Sequence, residues 1–246
     1  MNSTLLNTGW PMWVMLAIVV GATGIITSRF LDLSAKKIFS AAGRALIQLI
    51  VIALIISQVS TSWILTIALL LLMLAVAVFT STQRIETVRW WVPASVIFGG
   101  VAPVVALMFG FGVLPVTPLA VIAVIGQLIG GTMSATNLAG RRIQQELDQR
   151  AGEVEAALAL GFPENAARNL VGRPVAAEAL LPGLDQTRTV GTVTLPGAFV
   201  GLVLGGASPL EAGLVQLVVL INLLAVQAIA VSLLAMMIEQ KIGVRA

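Results

Sequence analysis

Apolar runs long enough to cross a bilayer alternate with short polar breaks along most of the chain, and one polar stretch, 141–188, stands out by its length. A helix needs roughly 17 to 25 mostly apolar residues to span the hydrocarbon layer, and about seven segments come near that length. They run from Trp10 to Ser28, Ala41 to Ser57, Trp63 to Thr80, Val92 to Phe109, Pro118 to Leu138, Val190 to Gly206 and Ala212 to Ile238. The pattern predicts an all-α integral membrane protein in which residues 1–246 form a single transmembrane domain.

The polar stretch reads as short helices punctuated by glycine and proline. Ile143, Leu147, Ala151, Val154 and Leu158 recur at helical spacing and predict an amphipathic helix that stops at Gly161. Pro163 and Glu164 suit the first turn of a second helix, since proline is tolerated there and a carboxylate favours the positive end of the helix dipole. Gly172 is expected to end that helix and Pro174 to start a third. Such a segment at a membrane face is either a docking surface or a solvated connector.

Charge orients the spans. Lys and Arg concentrate in cytoplasmic loops, and an outside amino terminus with a cytoplasmic carboxy terminus places every basic residue, from Arg29 to Arg245 and including Arg188, on the cytoplasmic side. The sequence pI near 10.2 then reflects topology and not nucleic-acid binding. All five tryptophans fall at predicted span ends, where an amphipathic ring prefers the interface. The first apolar segment has no basic residue before it and so reads as a retained helix and not a cleaved signal. With no cysteine and no histidine, the chain has no disulfides, no zinc site of thiolates and imidazoles and no histidine acid–base chemistry. It also lacks the glycine-rich nucleotide loop of ATPases, so any ATP is used by another polypeptide.

Polar groups inside spans are costly and tend to face a bundle interior or an aqueous path. The fifth span carries Gln127, Thr132, Ser134, Thr136 and Asn137 beside Gly126, Gly130 and Gly131. In the second span Arg44 and Gln48 share a face. In the seventh, Gln216 and Gln227 lie within about 20° of each other around the helix, with Asn222 on another face. In the sixth, Thr194 and Pro196 precede Gly197, Gly201 and Gly205, whose spacing leaves a smooth strip for helix packing, while Pro196 frees a carbonyl in mid-span. For each of these groups an interhelical hydrogen bond competes with a role in a substrate path.

Glu155, Ala156, Ala157 and Gly161 have the EAA-xxx-G spacing of the loop by which ABC permeases engage their ATPases. A more specific run, Asp185, Arg188, Thr189, Val190, Gly191, Val193, Leu195, Pro196, Gly197, Gly201, Gly206, Pro209, Ala212 and Gln216, resembles the FetB-like permease family, as do Arg44, Ala45, Ile47, Gln48 and Leu49 and the trio Leu158, Leu160 and Gly161. The resemblance covers the chain from the second span onward. It implies the membrane subunit of an ABC transporter of the bacterial inner membrane, not itself an enzyme, present in two copies with two FetA-like ATPase subunits that hold ATP and Mg. It also implies export of iron or another metal ion or its complex. Glu155, Ala156, Leu160, Gly161, Arg168, Arg173 and Asp185 would then couple to the ATPase, and Arg44, Gln48, Gln127, Thr132, Met133, Asn137, Thr194, Pro196, Gln216 and Asn222 would line the substrate path.

The chain departs from the family where substrate is concerned. Relatives often carry Gly-Met-x-x-Gly-Asn-x-Met in the fifth span, where this chain has Gly126, Gln127, Gly130, Gly131 and Met133; after Pro196 and Gly197 it has Ala198 and Phe199 in place of two Met. Amide and hydroxyl oxygens from Gln127, Thr132, Asn137 and Asn222 suit a hydrated or chelated ion better than a dehydrated one. An ABC exporter of a non-metal small molecule and a non-transporting membrane scaffold or sensor are the competing readings.

Overall fold

The computed structural model describes residues 9–243, so Arg245 lies outside the described residues. Among these residues every regular element is a helix, apart from one isolated bridge between Val190 and Thr194. It forms two compact units, one ending at Thr61 and the other beginning at Ser62.

The first unit is a helical hairpin of α1 (Trp10–Phe30) and α2 (Ala35–Val59). Pro11 sits at the start of α1, where a missing N–H costs nothing. The turn passes through Asp32 at φ 50°, and Gly24 lets α1 approach Phe39 and Ala35 of α2. Most of the hairpin's apolar surface is exposed, as expected of helices that face lipid.

The second unit is built on two long helices, α5 (Pro118–Gln149) and α10 (Pro209–Glu239). They run parallel, with Gly131 against Leu223 and Gln227, and with Ala135, Ala139 and Ile143 sharing an apolar cluster with Ala230, Leu234 and Ile238. Helix α3 (Trp63–Arg84) packs on α5 through Met73 at Gly126 and Ile85 at Gly140, and α4 (Trp91–Gly110) packs on α10 where Gly100 meets the Val226 carbonyl. Small residues at these crossings let backbones approach where lipid offers no hydrophobic drive. Ser208 and Glu211 form a reciprocal capping box that fixes the start of α10.

Six helices, α1 to α5 and α10, are long and apolar enough to cross a membrane. The expected seventh, Val190 to Gly206, is not a continuous helix. Helix α8 (Leu181–Thr189) ends before it, Gly191 turns back at φ 80°, its N–H donating to the Thr194 carbonyl at 2.8 Å, and Pro196 is extended. Only the eight-residue α9 (Gly197–Leu204) is helical, about 12 Å long. The cause is local: proline holds the residue before it out of the helical region, and the β-branched run Thr192, Val193 and Thr194 favours extended backbone.

The polar stretch also differs from expectation. Its amphipathic helix breaks at Arg150, which separates the end of α5 from α6 (Ala151–Ala159). Helix α7 (Glu164–Glu178) runs unbroken through both Gly172 and Pro174. Gly172 is buried where α7 meets α5, and a Cβ there would make only an ordinary 3.4 Å contact with Ile143.

Candidate functional site

Helices α6 and α7 form a hairpin beyond the polar end of α5. Gly161 makes the turn at φ 87°, a conformation that glycine adopts freely. Its N–H donates to the Leu158 carbonyl at 2.9 Å and the Phe162 N–H to the Ala157 carbonyl at 3.1 Å, the paired bonds of a Schellman cap. This accounts physically for the glycine of the EAA-xxx-G spacing. Glu155 and Ala156 are exposed while Ala157 is buried, and Leu158, Leu160 and Phe162 leave an apolar tip open, with Leu160 79% exposed.

The start of α7, just past the tip, is clamped to the end of α10. Lys241 pairs with Glu164, and the Arg168 guanidinium donates to the Ile238 carbonyl at 3.3 Å. The Lys241 ammonium holds the Glu164 carboxyl below the ordinary carboxylate range, with Arg168 adding to the effect. At the base of α6, Arg150 and Glu153 pair at 2.5 Å, which raises the guanidinium's pKa and lowers the carboxyl's. Arg173 is exposed and lines a cavity of about 350 Å³ between α7 and α10, together with Asn169, Ser232 and the buried Glu239. Arg168 and Arg173 thus face the carboxy-terminal end of α10 as well as the surface.

From this end the chain climbs back along α10. Gly183 of α8 lies against Gln227 and Leu224, Val190, Gly191 and Leu195 share a cavity of about 390 Å³ with Gln216, Leu217 and Leu220, and Phe199 of α9 reaches Gly213. Asp185 and Arg188 therefore sit beside the middle of α10, remote from the α6 tip with which Asp185 was grouped. They form an i,i+3 pair at 3.9 Å, with side chains 70% and 71% exposed. Nor does Arg188 lie at the polar end of the bundle with Arg141 and Arg168; it accompanies a helix with negligible hydropathy of its own into the apolar part of the molecule.

The proposed path residues divide by environment. Gln216 and Gln227, placed on one face of α10 by their spacing, are buried beneath α8 and 190–196, and the Oε1 atom of each has no hydrogen-bond partner. The Gln227 amide donates to the Gly131 carbonyl at 3.5 Å. Asn137 is 1% exposed with both side-chain polar atoms unpartnered. Thr132 and Asn222 instead satisfy their own helices, donating to the carbonyls of Leu128 and Val218 at 2.7 Å. Gln127 is exposed, Met133 half-buried, Thr194 exposed and Pro196 half-buried. The strip of Gly197, Gly201 and Gly205 is exposed on α9, and nothing from another helix comes within 4 Å of a Cβ at Gly197 or Gly201. Arg44 and Gln48 are exposed on α2, in the other unit. Gln227 is not among the path residues that the resemblance implies, although its eleven-residue spacing from Gln216 puts the two on one face.

The family described as Uncharacterised protein family (UPF0014) matches residues 10–242. The chain belongs to this family. It is 35% identical over 221 residues to the UPF0014 membrane protein STAR2 of Oryza sativa subsp. japonica, covering 87% of this chain and 76% of that protein. It is 34% identical over 212 residues to the protein ALUMINUM SENSITIVE 3 of Arabidopsis thaliana, covering 83% and 76%. Identity to the probable iron export permease protein FetB of Escherichia coli (strain K12) is 26% over 222 residues, covering 87% and 85%. No solved structure matches the chain. The chain is thus a multi-pass membrane protein of the family that includes FetB.

Proposed function

We propose that the chain is the membrane subunit of an ATP-driven exporter whose cargo is a metal ion or its complex. ATP and Mg belong to a separate FetA-like ATPase, and two copies of the whole 1–246 permease domain assemble with two of the ATPase in a bacterial cytoplasmic membrane. The observation that carries this reading is the α6–α7 hairpin: a rigid turn at Gly161 presents an apolar tip, and α7 ties that tip directly to α10. A force applied at Leu160 would reach the long central helix through Glu164–Lys241 and Arg168, which is the connection a coupling device requires.

The name of the Escherichia coli relative supports metal export, and the plant protein named for aluminium sensitivity agrees with a metal as cargo. The orientation proposed places the α6–α7 hairpin, Arg141 and Arg142 in the cytoplasm and the start of α10 outside. Because α5 and α10 run in the same direction, the chain must recross between them, and α8, 190–196 and α9 supply that crossing in place of a seventh continuous helix.

The test is co-purification. Leu160→Glu alters an exposed side chain without touching the core, so the variant should insert normally but lose its ATPase subunit. If Leu160→Glu retains the ATPase as the parent chain does, the tip is not the docking surface.

A further inference from the structure

The cavity of about 350 Å³ between α7 and α10 is charged at one end and apolar at the other. Gly131 of α5 lies against Gln227, and the two long helices run parallel, so Glu239 comes level with Ile143, beside Arg141 and Arg142. This is the membrane boundary of α5, where an apolar span gives way to charge. Helix α7 runs the other way along α10: Gly172 faces Glu239, and Gly183 of α8, farther along, lies against Gln227. Asn169, Arg173 and Glu239 therefore form the boundary end of the cavity, while Ala177, Leu180 and Val231 form the end that points into the membrane.

The boundary end holds two charges that the fold does not pair. Glu239 is 8% exposed and its Oε1 atom has no hydrogen-bond partner. The cations around it are committed elsewhere or stand off. Lys241 pairs with Glu164, and the Arg168 guanidinium donates to the Ile238 carbonyl. The charge of Arg173 reaches Glu239, but the two do not come within 4 Å, and Arg173 forms no ion pair with any other described residue. A buried carboxylate is costly without a donor, and a guanidinium facing it across a cavity calls for an anion. One ligand that carries both charges, a cation and an anion a few ångströms apart, answers both needs. The apolar far end of the same cavity adds a third requirement, a hydrocarbon continuation.

We infer that this cavity binds a phospholipid with an ethanolamine head. Its ammonium donates to Glu239, its phosphate accepts from Arg173 and Asn169, and its glycerol and first acyl carbons lie along Leu180, Val231 and Met236. A choline head carries the same charges but no N–H, so it leaves the Glu239 Oε1 atom unpartnered. Free phosphoethanolamine presents the same charged groups and leaves the apolar end unused. A bound lipid braces α7 against α10 at the joint above which the α6–α7 hairpin stands. The bracing of coupling rests on the exporter reading, whereas the binding itself needs no ATPase.

Native mass spectrometry of the purified full chain in detergent tests the site, with phosphatidylethanolamine, phosphatidylglycerol or phosphatidylcholine added at equal concentration. The chain should retain one phosphatidylethanolamine about tenfold or more over phosphatidylcholine, and Glu239→Gln and Arg173→Gln should each abolish that preference. Arg188→Gln, which removes an exposed guanidinium from α8, should leave it unchanged. Should Glu239→Gln fail to fold, Arg173→Gln decides alone, because it alters an exposed side chain. The chain has no cysteine, so Ser232→Cys, which lines the cavity, reports on its occupancy without background. Its reaction with a neutral maleimide in detergent should slow severalfold with phosphatidylethanolamine and not with phosphatidylcholine or free phosphoethanolamine. Equal retention of the ethanolamine and choline lipids, or a preference that survives both variants, overturns the site. Retention of phosphatidylglycerol equal to phosphatidylethanolamine overturns the ammonium assignment, and equal protection by free phosphoethanolamine overturns the lipid. Loss of the ATPase with lipid preference intact would refute the exporter reading and leave the site standing.

Discussion

Replacing Gly161 isolates the turn between α6 and α7 from everything else in the structure. A Cβ at this position meets nothing within 4 Å, so Gly161→Ala brings no clash, and its cost is that of the backbone at φ 87° alone. An L-residue held in the left-handed region loses roughly 1–2 kcal/mol, which is about a 5- to 30-fold shift between the ordered and frayed tip. Helix α6 has nine residues and cannot hold itself, so the two cap bonds and packing on α7 carry its order. Hydrogen–deuterium exchange in lipid nanodiscs reads this directly: the amides of Gly161 and Phe162 should exchange about 5- to 30-fold faster in Gly161→Ala, while those of α4 remain unchanged. Asparagine tolerates this conformation better and valine worse, so the order of protection should be Gly, Asn, Ala, Val. Equal protection in all four variants would refute the assignment of the turn as strained for side chains.

Other positions give separate tests. Gly100→Ala places a methyl group 2.9 Å from the Val226 carbonyl, a backbone atom that cannot rotate away, and should lower stability by about 1–3 kcal/mol in a thermal unfolding assay; an unchanged midpoint would contradict the α4–α10 packing. Asn137→Leu removes two unpartnered buried polar atoms at similar volume, so the thermal midpoint should hold or rise while transport falls, whereas a marked loss of stability would show that Asn137 is satisfied structurally. Glu164 has a depressed pKa through Lys241, so the clamp is fully present above the ordinary carboxylate value and is lost as pH falls through the lower, folded one. Exchange protection at the start of α7 should drop across that acid window in the parent chain and show no such step in Lys241→Met.

Much of this architecture follows from hydropathy and turn chemistry. Trp63, Pro118 and the long run into Glu239 mark real helices, and Gly161 and Pro163 mark a real turn. Hydropathy alone did not reveal the break in this segment, because it sums side chains and says nothing of the backbone: Val190 to Gly206 is apolar enough for a span, yet Pro196 and the β-branched residues before it keep it from being one helix. The packing of α8 was hidden too: Asp185 and Arg188 make a polar sequence window, and only the contact of Gly183 with Gln227 shows that this window lies along α10. Gly172 and Pro174 misled for a third reason. Their helix-breaking tendency was overridden by packing, since α7 is held on both sides by α5 and α10.

The site divided in the same way. Gln216 and Gln227 were legible as one face of a helix, because periodicity alone decides which residues share a side. What covers that face depends on tertiary contacts made by a segment more than twenty residues earlier in the chain, which no local pattern encodes. The α6–α7 turn was legible for the opposite reason, being a local turn set by one glycine.

The central claim is that movement at the α6 tip and movement of cargo are one process. The most direct measurement is ATP hydrolysis by the chain reconstituted in liposomes with its ATPase, with ferrous, manganous, cobalt and zinc ions and their chelates added in turn, comparing the parent chain with Gly161→Val. The account predicts hydrolysis stimulated by at least one metal ion or chelate in the parent, with the stimulation lost in Gly161→Val although the variant remains inserted. Equal stimulation in both proteins, or no ATPase retained by the parent chain, would contradict it.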